Sequence, residues 1–308
     1  MAATTKGILA AISLAGICSL AQAGDATSLA ARQDFRKAVA AGGAAADKAI
    51  ADGLDAPDPA IRRAALWELY AKNPAAALDR LDLACRDASR EVSALAAELA
   101  RAIPDEARRR TLLERIATRG TTPEARRIAA SAIPFPFHRD DVPLSQNPTY
   151  DHELVKVWTW DLPQDGWKFR ADTSASGHLG ESPFFGTDVD LSTDDWKDIS
   201  IGRHWESFRA VGKYDGIGWC VFEFALPERV EGLSYELCFD AVDEEAWVWL
   251  NGTYVGQHAE GVDGWNKPFR MDVGKELVWG GKNRLAVRVN DTFAGGGIYK
   301  GVRLEVLK

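Results

Sequence analysis

The chain has 308 residues, 46% of them hydrophobic, which excludes collagen-like and disordered classes and leaves room for two domains. The formal charge of −8 is carried by one part: residues 136–308 hold 18 basic and 29 acidic side chains, whereas residues 24–135 hold 18 and 16. So acidic a C-terminal part argues against nucleic acid or an anionic membrane as partner, and beyond the first residues no apolar run reaches the length of a membrane span.

In chain order, Lys6, an apolar stretch over 8–21 and Ala21-Gln22-Ala23 form the pattern of a secretory signal peptide, residues 1–23, and imply a secreted or periplasmic protein. Lipidation at Cys18 ranks second, because bulky Ile17 precedes it. Cys85, Cys220 and Cys238 then remain. Cys220 alternates in step with Phe222 and Phe224, whereas Cys238 alternates with Glu236 and Asp240, so the two thiols point to opposite faces and no disulfide is expected. Cysteine and histidine spacings give no zinc pattern.

Residues 24–135 read as α-helical, rich in Ala, Leu, Arg and Glu. Asp58-Pro59 supplies an N-cap with proline at the first helical position, and Ile61, Ala64, Ala65 and Leu69 follow at helical spacing. Asp87 opens a second such helix with Val92, Leu95 and Leu99, and Thr122-Pro123 opens a third. Partner helices fall at about 74–85 and 105–119. Aligning Ile61, Val92 and Ala125 gives intervals of 31 and 33 residues, and Asp58 to Ala65 resembles a HEAT repeat. A helical bundle without repeats fits nearly as well. Either form presents a surface for a protein partner and holds no catalytic constellation. Arg108, Arg109 and Arg110 read as a solvated face paired with nearby acids.

Pro134 and Pro136 end the helices, and residues 136–150 read as a polar linker. Residues 151–308 read as all-β. Candidate strands are 155–160, 220–226, 233–242, 246–250, 253–257, 269–273, 285–289 and 302–306, and Asn251-Gly252 is a strong hairpin signal. Eight or more short strands suggest a sandwich or jelly roll.

Several motifs in this part carry a resemblance. They are Tyr214-Asp215-Gly216-Ile217-Gly218-Trp219, Phe239-Asp240-Ala241-Val242-Asp243, Ala246-Trp247-Val248-Trp249-Leu250-Asn251-Gly252, Asn283-Arg284-Leu285-Ala286-Val287-Arg288-Val289 and Gly296-Gly297-Ile298-Tyr299. In order and spacing they resemble the N-terminal sugar-binding domain of glycoside hydrolase family 2, the β-galactosidase and β-glucuronidase group. The resemblance spans roughly residues 196–307 and implies a galactose-binding-like jelly roll. In that family the chemistry sits in a separate barrel with an acid/base Glu after an Asn. No Asn-Glu dipeptide occurs in this sequence, and the expectation is a module without catalysis.

Sugar recognition needs an aromatic ring for the apolar face of a pyranose and planar polar groups around its hydroxyls. Trp265 and His258 on one loop, and Asn290, Asp291 and Tyr299 on another, are the leading candidates, with Asp215 and the run Arg203-His204-Trp205-Glu206 beside them. Trp219, Trp249 and Asn251 read as structural, and the acidic run Asp243-Glu244-Glu245 as a solvated turn. Asp188, Asp190 and Asp194 crowd one loop; they are either a weak calcium site or, the safer reading, a solvated acidic loop. No other cofactor is implied. The expected function is a secreted, non-catalytic carbohydrate-binding module on a helical-repeat scaffold. The alternatives are a family 2-related hydrolase or accessory subunit, and a protein assembly module with no glycan ligand.

Overall fold

The computed structural model describes residues 26–308, so the signal-peptide reading falls outside the described residues. The chain forms two compact units. One comprises the described residues up to Pro134 together with Ser174–Gly180; the other is Phe135–Thr173 with Glu181–Lys308. The short excursion Ser174–Gly180, read from sequence as part of the β region, joins the first unit, where Leu179 packs on its core. Among the described residues no helix is long and apolar enough to cross a membrane.

Among the described residues the first unit holds seven helices: α1 (Ala26–Ala41), α2 (Gly43–Leu54), α3 (Pro59–Lys72), α4 (Leu78–Ala84), α5 (Arg90–Arg101), α6 (Glu106–Arg119) and α7 (Pro123–Ser131). Helices α1, α3, α5 and α7 touch in succession, and α2, α4 and α6 pack against them, giving two layers. Three starts match their caps: Asp58 accepts from the Ala60 N–H, Asp105 from Arg108 and Thr122 from Ala125. Asp87 behaves differently. It does not cap α5, which begins at Arg90 after Ser89; both its oxygens are engaged by the Arg62 guanidinium at 2.7 and 2.8 Å. An equivalent tie joins Arg32 of α1 to Asp58 at 2.6 Å, and Arg90 of α5 pairs with Glu124 of α7. An arginine in each of α1, α3 and α5 thus grips an acid at or near the start of the next odd-numbered helix. The core is aliphatic and small, built on Leu66, Leu81, Leu99, Leu113 and Ile116 with many alanines, which lets helices approach closely.

The second unit is a sandwich of two antiparallel sheets. The strands are β1 (Lys156–Asp161), β2 (Trp167–Ala171), β3 (Lys197–Ile199), β4 (Gly216–Ala225), β5 (Ser234–Phe239), β6 (Glu245–Leu250), β7 (Thr253–Ala259), β8 (Phe269–Asp272), β9 (Lys282–Asp291) and β10 (Val302–Leu307). Sheet order is β1-β10-β5-β8 and β3-β2-β4-β9-β6-β7. All eight strands read from the sequence are present; β2 and β3 are additional. Between the sheets lie Trp167, Phe169, Phe222, Leu237, Phe239, Val248, Leu285, Val287 and Leu304. The β6–β7 hairpin turns at Asn251 and Gly252, whose φ angles of 53° and 79° suit the twist of the flanking strands.

The outer face of the six-stranded sheet is buried too. Trp196, Trp219 and Trp249 form an aromatic layer there with Phe184 and Phe185, and Phe137 packs edge-on against Trp249 at 5.0 Å. The segment read as a polar linker is therefore part of the sandwich. Phe135 and Phe137 cover this face, the Arg139 N–H donates to Gln257 at 3.0 Å, and Ser145 hydrogen-bonds Glu236. Arg288 sits between the rings of Phe135 and Trp247, at 4.8 and 4.7 Å, and burial pushes its guanidinium down to about 10.

Cys85, Cys220 and Cys238 are free and buried. Cys220 faces the intersheet core. Cys238 sits on the outer face of the small sheet among the charged groups of Arg270, Arg303, Glu236 and Glu305. Alternation had separated the two thiols in this way.

Candidate functional site

Strand direction brings the candidate loops to one end of the sandwich. β7 and β9 each run antiparallel to β6, so they point the same way, and both His258 and Asp291 emerge beside the start of β6. On the other flank of β9, Gly216 at the start of β4 pairs with Asp291, which sets Asp215 next to it. A single 3-10 turn, Trp205–Ser207, completes the group with Glu206.

Trp205 anchors this end and is 1% exposed. Its backbone N–H donates to the Gly296 carbonyl and its ring N–H to the Tyr214 carbonyl, both at 3.0 Å. Gly296 lies against the indole so closely that an added Cβ would fall 2.3 Å from Trp205 Cζ2 and 2.5 Å from Asp291 Oδ2. Its N–H donates to the Glu206 carboxylate at 3.1 Å. The glycine run is thus a close approach of backbone to ring and carboxylates, a placement that only a residue without Cβ permits.

Four acids gather here. Carboxylate oxygens of Glu206, Asp215 and Asp291 lie within 4.8 Å of one another. Asp243, read as part of a solvated turn, is instead 7% exposed, and its neighbour Glu244 only 5%. Glu244 adopts φ 59° and accepts from the Thr292 N–H and hydroxyl, which pins the β5–β6 loop onto the end of β9. Burial pushes the Asp291 carboxyl up to about 7, against the pull of the Phe293 N–H and with the help of the charges on Asp243, Glu206 and Asp215. Burial likewise raises Asp243 to about 7, with Glu244 and Glu206 adding to it.

An aromatic row lies beside the acids. The His204 ring stacks on Tyr299 at 4.8 Å and 12°, and His204 Nδ1 is 3.5 Å from Asp243. Trp265 lies nearly parallel to Tyr299 at 6.3 Å, and the Tyr299 hydroxyl donates to the Trp265 carbonyl at 2.8 Å. Trp265 is 49% exposed, an open apolar ring at the end of this row.

The sequence candidates therefore divide. Asp215 and Asp291 converge with Glu206, and Trp265 and Tyr299 form the aromatic row. His258 reaches the same end of the sheet but is 5% exposed, stacked on Phe269 at 4.6 Å with Nε2 3.0 Å from the Gly264 carbonyl. Asn290 points to the opposite face of β9 from Asp291 and donates to Glu245 at 2.9 Å. Of the acidic loop, Asp190 accepts from the N–H and hydroxyl of Ser192. Among the described residues the carboxylates that converge are those of Glu206, Asp215 and Asp291, not Asp188, Asp190 and Asp194. Asp243 was missed because a run of three acids reads as solvated. The signal available was its place one residue beyond buried Ala241-Val242.

No family model matches the chain. Over 109 residues it is 29% identical to a β-galactosidase of Thermoanaerobacter pseudethanolicus, covering 30% of this chain and 14% of that protein. Over 98 residues it is 31% identical to a β-glucuronidase of Formosa agariphila, covering 32% of this chain and 9% of that one. The matches thus span less than a fifth of these relatives. Among solved structures, a glycosyl hydrolase family 2 member from Bacteroides cellulosilyticus matches 48% of this chain and 20% of its own, with 22% identity and a TM-score of 0.37. The chain thus shares distant sequence similarity with a β-galactosidase and a β-glucuronidase over about a third of its length.

Proposed function

We propose that the sandwich unit binds carbohydrate at the end where Trp265, Tyr299 and His204 border the acids. The observation that carries this reading is Trp265, a half-exposed indole aligned with Tyr299, in a row of rings whose other end, His204, lies 3.5 Å from Asp243. One pyranose face would lie on Trp265, and Asp215 at the exposed rim would accept from hydroxyls. The distant kinship with β-galactosidases and β-glucuronidases supports a glycan or glycoside as the ligand class. His258 and Asn290 have structural partners and are left out of the contact set. The signal-like residues 1–23 suggest action outside the cytoplasm, and the layered helices suggest a scaffold for a protein partner.

The test is a glycan array with the full chain, followed by titration with the glycans it selects and with simple galactosides and glucuronides. Saturable binding that weakens in Trp265→Ala supports the reading. An array without hits favours a protein assembly role. Turnover of these glycosides, abolished in Asp291→Asn, would replace binding with catalysis.

A further inference from the structure

We infer that Glu206, Asp215 and Asp291 form a binding site for a hard divalent cation of the calcium class. Three oxygen donors from three separate chain segments converge to within 4.8 Å, a spread compatible with oxygens about 2.4 Å from one ion. The acids are built into the fold rather than strewn on a loop. Asp291 ends β9, Asp215 adjoins its partner strand, and Glu206 is held by the Gly296 N–H.

A second observation points to a ligand. Asp291 is 1% exposed; one of its oxygens accepts from the Phe293 N–H at 3.1 Å, while Oδ2 is buried without a hydrogen-bond partner. Among the described residues no lysine, arginine or histidine forms an ion pair with Glu206, Asp215 or Asp291. The groups facing Asp291 are instead further acids, Asp243 among them. An unpaired buried carboxylate oxygen among like charges is costly, and a cation that takes this oxygen together with Glu206 and Asp215 removes the cost. The donors are all oxygens, with no thiol, which favours calcium over zinc or copper. This inference does not rest on carbohydrate binding, and it is read without sugar.

The experiment uses the full chain stripped with EDTA. Ca2+ is titrated by calorimetry, Mg2+ is run in parallel, and Tb3+ luminescence is excited through tryptophan, with Trp205 next to the site. The expected result is one saturable Ca2+ site and a higher melting temperature with Ca2+. Asp215→Asn, at an exposed position that tolerates the change, should weaken Ca2+ at least tenfold, and Glu206→Gln likewise. Asp190→Asn should leave it unchanged. Three results would overturn the assignment: no saturation by about 10 mM Ca2+, beyond the range of weak extracellular sites; affinity unchanged in both Asp215→Asn and Glu206→Gln; or loss of binding in Asp190→Asn. A response to Mg2+ alone would also refute the calcium class. Carbohydrate binding can fail while this site stands, and the reverse, since the two titrations share no ligand.

Discussion

Substituting Asn for Asp58 separates two jobs that this residue does in the helical unit. Asp58 caps α3 by accepting from the Ala60 N–H, and it pairs with Arg32 at 2.6 Å with both side chains nearly buried. Asn also caps helices well, so Asp58→Asn keeps the cap and removes the charge. Burial works against the ionised form. Hydrogen bonds from Arg32, Ser28 and Ala60 outweigh it and hold the carboxyl at about 2, below the ordinary 3.8. A depression of that size corresponds to roughly 2.4 kcal/mol, and screening by nearby water reduces it to about 1–2 kcal/mol. The folded pKa is the lower one, so the contribution is complete above pH 4 and is lost as pH falls towards 2. Urea unfolding of the full chain, followed by the helical ellipticity, should therefore show Asp58→Asn less stable by about 1–2 kcal/mol at pH 7. The difference should shrink to near zero at pH 2. A gap that persists unchanged at pH 2 would refute the charge argument, and no gap at pH 7 would show that the Arg32 tie contributes nothing.

Trp249→Ala removes a fully buried ring that stacks on Phe185 at 4.9 Å, and should cost about 3–5 kcal/mol, or a fall of roughly 6–20 °C in the melting temperature of the sandwich. A calorimetric scan checks this, and a shift under 2 °C would contradict the aromatic layer described. Gly296→Ala drives a methyl into Trp205 and Asp291, neither of which has room to retreat. The expected destabilisation is about 1–3 kcal/mol or more by chemical denaturation, and wild-type stability would show that the approach is looser than stated.

How much of this was legible from residues alone depended on length and periodicity. The hairpin at Asn251-Gly252 follows from its turn residues, and the opposed directions of Cys220 and Cys238 from two-residue alternation, which tertiary context does not disturb. β2 was overlooked although Trp167 and Phe169 alternate, because only five residues stand between polar loops. β3 has three residues and one buried side chain, too few to show a period. Residues 136–150 read as a polar linker because prolines and polar residues dominate there, which hides the packing of Phe137 on the sheet. Phe135 and Phe137 were the informative pair, spaced to put two rings on one face. At the site, the acidic and aromatic residues were visible, but their partners were not. Burial of His258 and Asp243 is set by neighbours far apart in sequence, and nothing local distinguishes a buried acid from a solvated one.

The most direct test of the account is calorimetric titration of the full chain, wild type and Trp265→Ala, with the best glycan from an array. Trp265 is 49% exposed. A tryptophan buries about 150–250 Å² when fully covered, so a sugar covering the open half removes roughly 75–125 Å² from water. At ~25 cal/mol per Å² the lower figure is worth about 2 kcal/mol. The account predicts saturable binding by the wild type and affinity roughly 30-fold weaker in Trp265→Ala, with melting temperatures within a few degrees of each other. Equal affinity in the two folded proteins, or no binding by the wild type to any glycan tested, would contradict it.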